Sequence, residues 1–323
     1  PPPFFMARYK TEVKKVFLNS TRSSTDLLAR MMLQAADECY NVGLTMVTEA
    51  GADPWLVDFY DSLHSEDILK MAFYVMLNPT SENYERFIKE GVLKRDKLNV
   101  SSIKLYADGA LGSRGACMLK PYSDDPGNFG TMTITPEELG KWCVMAYDNG
   151  YQVNTHAIGD SANRLVLDVY SNYLLPGNNL RWRIEHCQVI DPNDFKKFGE
   201  FGIIPSIQAT HATSDMSWAR HRLGRRIANA YAYRRLMREN GWLANGTDFP
   251  IENISPIYSF YAAVDRKNLD GQPMRGFQRE NALTRQEALR SITLWAAKAC
   301  FEDDRRGSLE PGKNADFVIL DMD

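Results

Sequence analysis

"YQVNTHAIGDSANR" (Tyr151–Arg164) changes character at its centre. An alternating apolar run ends at Thr155-His156, a turn of small residues follows, and Gly159-Asp160-Ser161 has the composition of a helix start. A strand that stops on a histidine and turns into a helix is one βα step. Outward from it the same step recurs. Further strand candidates are "LTMVTEA" (44–50), "KMAFYVML" (70–77), "SIKLYAD" (102–108), "RWRIEHC" (181–187), "GIIPSIQ" (202–208) and "WLANGTD" (242–248). Amphipathic segments lie between them. "TPEELGKWCVMAYDNG" has Thr135 as N-cap, Pro136 at the first helical position, Glu138 to complete a capping box and Gly150 to close the helix. Thr284 and Glu287 repeat the device, and Gly43 ends the helix before the first strand. Alternating strands and helices predict an α/β chain around a parallel sheet, either doubly wound or a barrel. No GxGxxG follows any strand, which weakens a dinucleotide-binding reading.

Composition narrows the function classes. A chain of 323 residues with formal charge −3 has no basic footprint for nucleic acid or an anionic membrane surface. No run of about 18 apolar residues predicts a membrane span. Five scattered cysteines without CxxC spacing argue against a disulfide framework or structural zinc, and point to a reduced, cytoplasmic setting. The opening "PPPFFMARYK" lacks the order of a signal peptide and does not begin with Met.

The strand ends carry the chemistry. Lys104 lies within an apolar strand, while His156, His186 and Asp248 sit at or near the carboxyl ends of three others. In a (β/α)8 barrel those ends meet on one face, where active sites are built. Each residue alone has a structural reading as a buried polar group with a partner. Together, two imidazoles, a carboxylate and a lysine form a set suited to zinc or a similar divalent ion. A buried lysine can carry a carbamate that ligates metal, or form a Schiff base with a carbonyl substrate; the second needs no metal.

"SIKLYADGALGSRGA", "NTHAIGDSAN", "RIEHCQVI", "NGTDFPIE" and "GSLEPGKNADFVILD" together resemble the metal-dependent amidohydrolase superfamily, in the branch that includes N-substituted formamide deformylases. The resemblance runs from Gly43 to the end. It implies a (β/α)8 barrel in which Lys104 matches a carboxylated lysine, His156 and His186 match single metal-ligating histidines, and Asp248 matches the catalytic aspartate. One or two divalent ions, zinc first, would then activate a water. Asp248 would take its proton as general base and return it as acid, cleaving the C–N bond of a small amide or N-formyl substrate. Gln208, His211, Asp108 and Arg114 are the expected substrate-binding residues, and a homodimer is expected.

The chain departs from this pattern at one point. The family's first strand carries a His-x-His pair, and no such pair occurs here. The expectation is therefore a barrel lacking its first strand, truncated at both ends. Residues 1–42 would be the remnant of an insertion plus a helix, 43–300 barrel strands two to eight, and 301–323 the start of a β-sandwich opening on the strand "DFVIL". Two alternatives stand beside the hydrolase: a non-catalytic protein that keeps the fold without the His-x-His ligands, and a metal-free Schiff-base lyase using Lys104.

Overall fold

The computed structural model describes residues 22–321. Of the opening segment expected over residues 1–42, residues 1–21 lie outside the described residues, and Arg22–Asn41 is one long helix. The chain leaves it through Gly43, whose φ of +82° is open to a residue without a Cβ, and enters β1 (Met46–Ala52). Then follow β2 (Ala72–Leu77), β3 (Leu93–Lys94), β4 (Leu98–Tyr106), β5 (Gln152–Ala157), β6 (Arg183–His186), β7 (Ile204–Ile207) and β8 (Ala244–Asn245).

The sheet runs β1-β2-β4-β5-β6-β7-β8, parallel throughout, with β3 added antiparallel on β4. All seven expected strands form. β3 was not anticipated, because two residues carry no readable period. The described strands curl into a half-barrel whose edges are β1 and β8. Helices cover the outer face, and of the two expected capping boxes only that of Thr284 and Glu287 forms completely. Thr135 accepts from the Glu138 N–H at 3.1 Å, and Thr284 and Glu287 exchange both bonds of a capping box.

Register explains why the central strands alternate as they do. Ile103, Leu105, Val153 and Ile184 point outward into the main apolar core shared with the helices. The opposite face carries Lys104, Asn154 and Arg183 in one row and Tyr106, His156, Glu185 and Ser206 in the next. Barrel interiors are usually filled by branched apolar side chains. This one carries many polar side chains, several of them paired with one another. Arg183 bonds Asn154 at 3.1 Å and pairs with Glu185 at 3.0 Å, while Tyr74 donates to Gln152 at 2.9 Å. The Ser206 hydroxyl donates to the same Glu185 carboxylate.

One local expectation is corrected. "DFVIL" forms no strand: residues 314–320 have no regular structure, and Phe317, Val318, Ile319 and Leu320 are exposed. A strand needs a neighbour to accept its ladder, and none of the described strands pairs with this segment.

Candidate functional site

The mouth of the half-barrel is assembled by the turn quoted at the outset. Asp108, just beyond β4, is buried, and its carboxylate accepts three backbone N–H groups. Oδ1 takes that of Ile158 at 3.0 Å, and Oδ2 takes those of Gly159 and Cys117 at 2.8 Å each. It thereby ties the loop after β4 to the turn after β5. Gly159 is required there by proximity, since a Cβ would lie 2.0 Å from the Cys117 carbonyl oxygen. From this clamp His156 projects with Nε2 3.4 Å from Asp108 Oδ1.

Three imidazoles then line the mouth. The rings of His156 and His186 meet edge to face at 4.5 Å, and those of His186 and His211 stack at 5.8 Å. His186 Nδ1 lies 2.7 Å from Gln208 Oε1 and so donates to it, which leaves Nε2 without a proton. His156 Nε2 is buried without a hydrogen-bond partner. Burial, and after it the charge of Lys104, depresses His156 to about 4. Burial, then His156 and Lys104, takes His186 to about 3; burial and then His186 take His211 to about 4. All three rings are neutral at pH 7.

Lys104 is 4% exposed, with Nζ 5.0 Å from the centre of the Tyr106 ring, which itself lies 5.7 Å from that of His156. Asp248 closes the mouth from the turn after β8. It is solvent-exposed, yet desolvation raises its carboxyl, opposed by His211 and Lys104. Left-handed backbone at His186 (φ +77°), Cys187 (+47°) and Asp248 (+54°) aims these strand ends. Such outliers gather where side-chain direction matters.

The expected site residues thus fall into two groups. Lys104, His156, His186, His211, Gln208 and Asp248 surround one mouth. Asp108 is occupied by backbone donors, and Arg114 is engaged by Asp124 through two 3.2 Å bonds. Glu252 was missed in the sequence. It accepts from Ser214 at 2.6 Å and stands 3.9 Å from His211; it closes the quoted stretch "NGTDFPIE", where the reading stopped at Asp248. Trp182 is buried packing, donating to the Tyr151 carbonyl at 3.2 Å.

The donors do not fit a metal ion. Among the described residues no group of three or more His, Cys, Asp or Glu side chains is arranged to hold one. The rings of His156 and His186 meet edge to face, and Lys104 lies over the Tyr106 ring. The expected metal-activated water, with Asp248 as its general base and acid in C–N cleavage, is therefore corrected: the geometry favours the alternative of a fold kept without the metal chemistry.

Comparison with known proteins places the chain. It is 32% identical over 268 residues to "Protein LONG AFTER FAR-RED 3" of Arabidopsis thaliana, an alignment covering 82% of this chain and 46% of that protein. It is 24% identical over 199 residues to the N-substituted formamide deformylase of Arthrobacter pascens, covering 60% of this chain and 36% of the enzyme. The chain thus spans less than half the length of these two relatives. An uncharacterized metal-dependent hydrolase from Pyrococcus horikoshii superposes with a TM-score of 0.83 at 28% identity, over 96% of this chain and 62% of that one. The amidohydrolase family model matches residues 7–323, and the chain belongs to the amidohydrolase family.

Proposed function

We propose that this chain is a non-catalytic member of the family, which binds a small amide-type molecule at the half-barrel mouth and does not hydrolyse it with a metal. The observation that carries the reading is the absence, among the described residues, of a converging set of three metal donors where the family resemblance calls for one. The mouth suits a neutral polar ligand. Neutral imidazoles each offer one donor and one acceptor, matching the two ends of an amide, and the buried Nε2 of His156 lacks a protein partner. No described helix is long and apolar enough to cross a membrane. None of the five cysteines is in a disulfide, which suits the cytoplasm.

The test combines metal analysis with turnover. After dialysis against zinc, the protein is expected to retain less than one ion per chain and to leave a panel of N-formyl and N-acyl amines intact. Those same compounds are expected to shift the histidine ring signals in NMR. Stoichiometric zinc together with metal-dependent hydrolysis of any panel member would refute the reading.

A further inference from the structure

The β8 side of the mouth holds a carboxylate whose bonding is unfinished. Glu252 lies beyond Asp248 in the loop between β8 and the helix Pro256–Asp265. Its side chain is only 17% exposed, yet no Lys or Arg among the described residues pairs with it. Ser214, on the short helix Ala209–Asp215, donates to Oε1 at 2.6 Å, and Oε2 accepts from no described residue. A carboxylate offers about four lone-pair sites, and one withdrawn from water is ordinarily met by more than a single donor. Beside it stands the His211 ring, with Nε2 3.9 Å from Oε1 and its face stacked on His186; this ring too makes no side-chain hydrogen bond with a described residue.

The two side chains differ in what they offer. Glu252 accepts, and the His211 ring can donate. We infer that Glu252 selects the ligand of this mouth by accepting an amide N–H, with His211 donating to the ligand's carbonyl, so that secondary amides bind and tertiary amides are rejected. The inference rests on the reading just given and deepens it. A ligand without an N–H would cover the Glu252 carboxylate and leave it unsatisfied, and sites built to pair a polar group reject the analogue that lacks it more strongly than the loss of one contact would suggest. Holding Ser214 does not account for the carboxylate, because Ser214 is exposed and its hydroxyl has water as an alternative partner.

The test compares N-butylformamide with N-butyl-N-methylformamide, titrated at pH 8 into the full 323-residue chain as wild type, Glu252→Leu and Glu252→Ala, with binding read from the histidine ring signals in NMR. Wild type is expected to bind the secondary amide at least about tenfold tighter than the tertiary one. Glu252→Leu, similar in bulk but without an acceptor, is expected to lose most of that preference, whereas a purely structural role for Glu252 would weaken both probes together. Should Glu252→Leu fail to fold, Glu252→Ala carries the comparison. Equal affinity of wild type for the two probes, or a preference that survives in the variants, overturns the inference and leaves the proposed function standing. If wild type binds neither probe, both fall.

Discussion

Replacing Gly159 with alanine adds a single methyl group, and the structure says where it would go. The backbone at Gly159 has φ −74° and ψ 154°, a conformation that alanine adopts without strain. On chain entropy alone the substitution would stabilise the fold by about 0.4–1 kcal/mol. Against this, the new Cβ would meet the Cys117 carbonyl oxygen at 2.0 Å and its carbon at 2.5 Å. Backbone atoms cannot rotate away as a side-chain tip can, so the loop after β4 must retreat by more than an ångström. That movement would break or stretch the 2.8 Å bond from the Gly159 N–H to Asp108 and the 3.1 Å bond from the Ser161 N–H to the Cys117 carbonyl. Burial pushes the Asp108 carboxyl up to about 7 against its three backbone donors, so at pH 7 it is only partly ionised and the bond to it contributes about 1–3 kcal/mol, the neutral one about 1. Overpacking strain adds about 1–3 kcal/mol. Less the entropic gain, Gly159→Ala should cost about 2–6 kcal/mol, read as the change in unfolding free energy from urea melts at pH 7. The opposing terms differ in sign, so the measurement decides between them. A variant as stable as wild type, or more so, would show that the clamp between Asp108, Gly159 and Cys117 does not hold the mouth together.

Two further predictions concern charge. His211 titrates at about 4 in the folded chain against 6.5 unfolded, so its contribution is present above pH 6.5 and is lost as pH falls toward 4. Between pH 7 and 5 that loss is about 2 kcal/mol, so the stability gap between wild type and His211→Asn should narrow by that amount; urea melts at both pH values showing a constant gap would count against a neutral buried ring. For the pair joining Arg183 to Glu185, Arg183→Met or Glu185→Leu alone should cost about 3–5 kcal/mol, and the double substitution less than either single one. Additive losses in the double-mutant cycle would mean that the two side chains are not coupled.

The sequence was most readable where a local rule and the tertiary fold agree. The strand and helix punctuation around Thr135, Thr284 and Gly43 could be read because a cap is satisfied within a few residues of itself. The gathering of Lys104, His156, His186 and Asp248 at one mouth was readable because parallel strands bring their carboxyl ends together. Side-chain direction was not readable. Which way Lys104 turns, and which ring nitrogen of His186 faces Gln208, depends on neighbours that lie 22 residues away in sequence for the histidine. Such choices decide between a ligand set and a cluster of satisfied polar groups. "DFVIL" misled for a related reason: a short apolar run marks a segment that could pair, but pairing needs a partner that the segment does not encode.

The polar inner face of the half-barrel also governs which alignments of the strands are tolerable. Sliding β5 by one residue against β4 would swing Asn154 and His156 into the apolar layer under the helices and bring Val153 and Thr155 up against Lys104 and Arg183. An all-aliphatic interior could absorb such an error at moderate cost, because one branched side chain packs much like another. Here the error takes the Asn154 amide from the buried Arg183 and turns Asn154 and His156 into the apolar layer. The polar interior therefore acts as a proofreading device for strand alignment, since a near-miss register buries an amide and an imidazole among apolar side chains.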